Sequence, residues 1–110
     1  MVTFDQDHGE VRSVGYRFGP VAYSSDVLDL PPAAFRTLAG SGLWIVDALR
    51  YAPHPTHAHV DRTLGWIDHL GPTRAILTNL HIDLDYGELA GRLPQGVEPA
   101  YDGMRLFLEI

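Results

Sequence analysis

The chain has 110 residues, no cysteine, and a formal net charge of −6 with eight arginines and no lysine. That length suits one domain with a single modest core, and the lack of cysteine excludes disulfides and thiolate metal sites. An acidic chain without lysine argues against a dedicated nucleic-acid binder, although a bound cation can reverse the local potential for a small phosphate. The N-terminus carries no basic segment followed by an apolar run, and the longest apolar runs are too short to cross a bilayer, so a cytoplasmic protein is expected.

Val2–Phe4 reads as a strand. Ser13–Phe18 and Val21–Tyr23 flank the turn signal Gly19-Pro20 and read as two more. Leu30–Ala39 is a short helix, with Pro31 and Pro32 at its start and Gly40 beyond its end. The run LWIV at Leu43–Val46 has the continuous apolar character of a strand buried on both faces. Val60, Leu64, Trp66, Ile67 and Leu70 form the apolar face of a second helix, stopped by Gly71-Pro72. Ala75–Leu77 is another buried strand. Asp85 is placed to cap a third helix, with Glu88 in the capping-box position and Leu84 and Leu89 spaced as a hydrophobic staple. The tail reads as a hairpin, Val97–Tyr101 and Met104–Ile110 around Asp102-Gly103. The order β, ββ, α, β, α, β, α, ββ predicts an α/β protein with a mixed sheet, in which ligands gather beyond the carboxyl ends of the strands.

The residues at those ends set the candidates. His8 follows the first strand, where Gly9 permits a sharp turn; alone it would be an ordinary surface histidine. Asp26, in AYSSDV, is either a turn residue or a carboxylate able to bridge two cations. Asp47 ends a buried strand, where an unpaired carboxylate is costly; it either orients a histidine or bonds to loop backbone. The stretch HPTHAHVDR holds three histidines without a recognised zinc spacing. His54 lies between prolines, His59 sits at a helix start, and His57 is favoured for chemistry. His69, late in a helix, suits a structural role beside the helix dipole. In LTNLHIDLDY, a continuing strand would point Asn79, His81 and Asp83 the same way.

Taken in order, QDHG, GYRFG, AYSSDV, WIVDAL, HPTHAHVDR, LTNLHIDLDY and VEPAYDGM resemble the C-terminal half of metallo-β-lactamase-fold hydrolases. The similarity is nearest to the branch of the phosphoribosyl cyclic phosphodiesterase. This resemblance implies half of an αββα sandwich, with a mixed sheet and helices on one face. It implies metal ligation by His8, Asp26 and His81, Asp26 bridging two divalent cations, zinc or manganese. His57 is implied as proton donor near the scissile phosphate of a small phosphodiester, with Asp47 holding its ring. Relatives commonly read L-T-H where this chain has Asn79, so the last ligand is assigned to His81. His59 stands where a small hydroxyl residue is more usual.

The signature H-x-H-x-D-H has no match in the chain, and the first strand starts almost at Met1, as expected of a truncated frame. The sheet face that would meet the other half should therefore be apolar and uncovered, inviting a homodimer or the missing half. Two alternatives follow: an inactive, dimerising half-domain that binds a metal or anion, and a tRNA-processing nuclease of the same superfamily, disfavoured by the acidic balance.

Overall fold

The computed structural model describes residues 1–81 and 84–106. Six strands form one sheet in sequence order: β1 (Val2–His8), β2 (Val11–Phe18), β3 (Val21–Ser24), β4 (Leu43–Asp47), β5 (Arg74–Thr78) and β6 (Val97–Pro99). The first three pair antiparallel and the last three join in parallel, so the sheet is mixed as expected. Parallel neighbours need crossovers, and three helices supply them: α1 (Pro32–Leu38), α2 (Val60–Leu70) and α3 (Tyr86–Arg92).

The helix ends follow local chemistry. Gly71 closes α2 in the left-handed conformation, its N–H donating to the Ile67 carbonyl. Asp85 caps α3, Oδ2 accepting from the Glu88 N–H at 2.8 Å, as the capping pattern requires. The first two strands run longer than their apolar patterns because paired backbone, once started, extends through polar residues. Registration is continuous from Val2 opposite Arg17 to His8 opposite Val11.

Helices cover one face of the sheet. Ala22, Trp44, Val46, Ala75, Leu77 and Val97 from alternate strand positions pack with Ala34, Leu38, Val60, Trp66, Ile67 and Leu89 from the helices. Phe4 lies over Gly15, where a Cβ would stand only 2.2 Å from the Phe4 ring. On the opposite face no helix among the described residues lies over the paired row Tyr16, Tyr23, Ile45 and Ile76. Val14, Tyr16, Phe18 and Tyr23 are exposed there, with Tyr16 and Phe18 stacked. The β2 and β3 part of this face is thus exposed, whereas Ile76 on β5 is buried.

The tail departs from expectation. β6 is a third parallel strand at the sheet edge, and Asp102-Gly103 makes a turn in which the Met104 N–H donates to the Tyr101 carbonyl. Residues 104–106 form no strand, and Phe107 to Ile110 lie outside the described residues. No helix among the described residues is long and apolar enough to cross a membrane.

Candidate metal and acid–base site

Four strand ends meet at one rim. β1 delivers His8, followed by Gly9 at φ 71°. A Cβ on Gly9 would lie 2.8 Å from the Thr56 methyl, so glycine lets this turn press against the 55–56 segment. The closeness brings His8 Nδ1 to 2.6 Å from the Thr56 carbonyl. A carbonyl can only accept, so Nδ1 carries the proton and Nε2 keeps its lone pair.

β3 ends at Ser24, and Asp26 follows in the left-handed region at φ 51°. A non-glycine residue in this region is strained unless its surroundings hold it. Gln6, fully buried, donates to Ser13 Oγ at 3.0 Å and to the Ser25 carbonyl at 3.1 Å. Ser13 in turn donates to the Asp26 carbonyl at 2.7 Å. The Asn79 amide reaches across from the end of β5 to Ser25 Oγ at 2.8 Å.

At the end of β4, Asp47 has 0 % exposure. Its Oδ2 accepts from the Val27 N–H at 3.1 Å and from His57 Nδ1 at 2.6 Å. One oxygen thus engages both a histidine and loop backbone, while Oδ1 has no hydrogen-bond partner among the described residues. Burial pushes the Asp47 carboxyl above the ordinary carboxylate range, against the opposing pull of the His57 and Val27 hydrogen bonds.

The loop carrying His57 is fastened through its backbone. Ala58 N–H donates to the Val27 carbonyl at 2.6 Å, and Leu49 N–H to the Ala58 carbonyl at 2.9 Å. The His57 ring meets His8 edge to face at 4.9 Å and His54 at 5.4 Å. His54 Nδ1 accepts from the Thr56 N–H, and partial burial, then the Arg50 guanidinium, lower its pKa.

One donor atom each from His8, Asp26 and His57 lies within 4.8 Å of the others. His81, expected as the third ligand, is not in this trio, and the reason is local. β5 stops at Thr78 and Asn79 turns left-handed at φ 59°, which breaks the strand alternation that would have aligned Asn79 with His81. The His81 N–H instead donates to the Leu49 carbonyl at 2.7 Å. Asp83, grouped with it in the sequence, lies outside the described residues. His59 stands at the N-cap of α2 without a side-chain capping bond, and His69 packs edge-on to Phe35. Two cavities flank the rim. One, of about 430 Å³, is lined by Asn79, Leu80, Tyr101 and Met104; the other, of about 390 Å³, by His8, Val11, Pro55 and Thr56.

Sequence reasoning passed over Gln6 and Ser13. Gln6 shares the inward face of β1 with Phe4, and a buried amide at an apolar register needs partners; that was the available signal.

The family model for the beta-lactamase superfamily domain matches residues 1–82, the segment that contains His8, Asp26, Asp47, His57 and Asn79. The chain belongs to this family. Within the superfamily it falls on the PhnP-like side: its fold matches a solved structure described as a new diphosphatase from the PhnP family. That match has a TM-score of 0.95 and 35 % identity, covering 99 % of this chain and 43 % of the other. An octanoyltransferase of Porphyromonas gingivalis (strain ATCC BAA-308 / W83) is 27 % identical over 105 residues, 93 % of this chain and 21 % of that protein. The chain therefore spans about a fifth of the curated relative and under half of the solved diphosphatase.

The superfamily implies divalent metal, and the donor set fits one. Each imidazole has its Nδ1 engaged by an acceptor, which orients the ring and leaves Nε2 for the rim. A histidine and carboxylate set suits zinc or manganese equally.

Proposed function

We propose that this chain carries part of the active site of a metal-dependent hydrolase that cleaves a small phosphodiester or diphosphate. The observation that carries this reading is the convergence of His8, Asp26 and His57 within 4.8 Å, with both rings held from behind.

The two rings differ in what holds them. His8 donates from Nδ1 to a backbone carbonyl, which turns Nε2 towards the rim, so it is assigned as a metal ligand together with Asp26. His57 donates from Nδ1 to the buried Asp47 carboxylate, which orients the ring with Nε2 towards the rim, so it is assigned as the proton donor to the leaving oxygen. Asp47 is the positioning residue for His57. A divalent cation at His8 and Asp26 would supply Lewis-acid stabilisation of the phosphoryl oxygens. His81 and the second cation of a dinuclear site would require ligands beyond the trio. The substrate class is supported by the diphosphatase relative, and the acidic balance disfavours the tRNA-processing alternative.

The test is hydrolysis of bis-p-nitrophenyl phosphate with added manganese or zinc. Turnover that needs metal and falls by about 10²- to 10⁴-fold in His57→Asn supports the assignment. Hydrolysis indifferent to chelator contradicts it. A second reading, a half-domain that binds metal without turnover and pairs through its open face, is favoured by the exposed Val14, Tyr16, Phe18 and Tyr23. It is distinguished by bound metal, no hydrolysis, and a homodimer in sedimentation.

A further inference from the structure

We propose that Asn79 is a positioning residue for Asp26, setting the direction in which that carboxylate faces His8 and His57. The inference rests on the metal reading above but concerns a residue to which that reading gives no role.

Asp26 and Asn79 are the two non-glycine residues with positive φ among the described residues, at 51° and 59°. They stand at the ends of β3 and β5, which are separated by β4 and share no ladder. Two such departures facing each other across a strand are unusual, because each conformation is tolerated only where contacts fix it. The contact between them is the Asn79 amide, whose Nδ2 lies 2.8 Å from Ser25 Oγ and 3.5 Å from Asp26 Oδ1. With a carboxylate oxygen opposite, only the NH₂ end of the amide makes a favourable approach, which settles the orientation of the side chain. The shorter bond anchors the amide on Ser25. The longer contact aims a partial positive charge at Oδ1.

Asp26 has two kinds of support. Gln6 and Ser13 hold its backbone through the carbonyls of residues 25 and 26. Neither restricts rotation of the carboxylate, and among the described residues Asn79 is the side chain that contacts it. Removing Asn79 would therefore leave the turn in place and let the carboxylate swing away from His8 and His57. Asn79 also lines the 430 Å³ cavity, so a ligand seated there would contact the group that sets Asp26.

The experiment is cobalt titration of the full chain, following the visible d–d absorption and the affinity, with Asn79→Gly against wild type. Glycine adopts φ near 59° without strain, so this variant deletes the amide and spares the backbone. The expected result is an affinity weaker by about 10- to 100-fold, the usual effect of removing a group that orients a ligand, with an altered d–d band. The urea midpoint of the metal-free chain should stay close to wild type. A purely structural asparagine would move the midpoint and not the spectrum. Ser25→Ala, which removes the acceptor of the shorter bond, should shift cobalt affinity in the same direction and serves if Asn79→Gly does not fold. Wild type that takes up no cobalt overturns the metal reading and this inference with it. Wild-type uptake with unchanged affinity and spectrum in the variant overturns the role of Asn79 alone.

Discussion

Replacing Asp47 separates its two functions. One buried oxygen holds both the Val27 N–H and the His57 ring, while the other has no partner among the described residues. In Asp47→Ala, the buried Val27 N–H loses its acceptor, at about 1–3 kcal/mol, and the half-buried His57 Nδ1 loses its own. Relief of a buried charge offsets part of this, leaving a net loss of about 2–3 kcal/mol. In Asp47→Asn the amide oxygen can replace Oδ2 for both donors, and the NH₂ falls where Oδ1 stands unpartnered. One new unsatisfied donor is set against one removed charge, so stability should stay within about 1 kcal/mol of wild type. The two variants should thus differ by about 2 kcal/mol, or roughly 8–16 °C in thermal midpoint for a domain of this size. Thermal and urea unfolding at neutral pH measure this directly. Equal stability of the alanine and asparagine variants would refute the claim that one oxygen fastens both the Asp26 turn and the His57 loop.

Three further outcomes follow from the same structure. Because burial raises the Asp47 carboxyl pKa, the folded state holds that proton more tightly than the unfolded chain does. This group's contribution to stability is then complete below the ordinary carboxylate pKa and lost as pH rises through the raised value. The stability of wild type relative to Asp47→Asn should fall with pH across that acid window and level off above it, and a rise instead would contradict the assignment. Gly15→Ala should destabilise by about 1–3 kcal/mol, since its Cβ would lie 2.2 Å from the Phe4 ring and 2.6 Å from Gln6 Oε1; denaturant unfolding reads it. The double variant Tyr16→Ser, Phe18→Ser should weaken self-association by about tenfold or more in sedimentation, because it removes the stacked pair at the centre of the open face; unchanged association would place the contact elsewhere.

Much of the fold was legible because its signals are local. The run LWIV, the α2 apolar stripe and the Asp85 cap each specify an element without help from the rest of the chain. The open face was legible for a different reason: the resemblance implied a half sandwich, and Val14, Tyr16 and Phe18 alternate on β2 in the register that such a face needs. What could not be read was the geometry where strands stop. The alignment of Asn79 with His81 assumed an extended strand, and β5 ends at Thr78 with a left-handed residue at 79. Nor does sequence spacing reveal that Gln6, Ser13 and Asn79 converge on one turn, since they lie on three strands or strand ends and meet only when the sheet forms. The sequence favoured His57 among three histidines, but its closeness to His8 depends on Gly9 packing against Thr56, a contact between residues 47 positions apart.

Long-range ¹H–¹⁵N correlation spectra of the chain, recorded with and without zinc, test the central claim most directly, because they report which nitrogen of each imidazole bears a proton and which binds metal. The account requires His8 to bind zinc through Nε2 with Nδ1 protonated, and His57 to keep its Nδ1 proton towards Asp47 without becoming a ligand. Zinc that leaves His8 unchanged, or that is bound by His57 in its place, would contradict it.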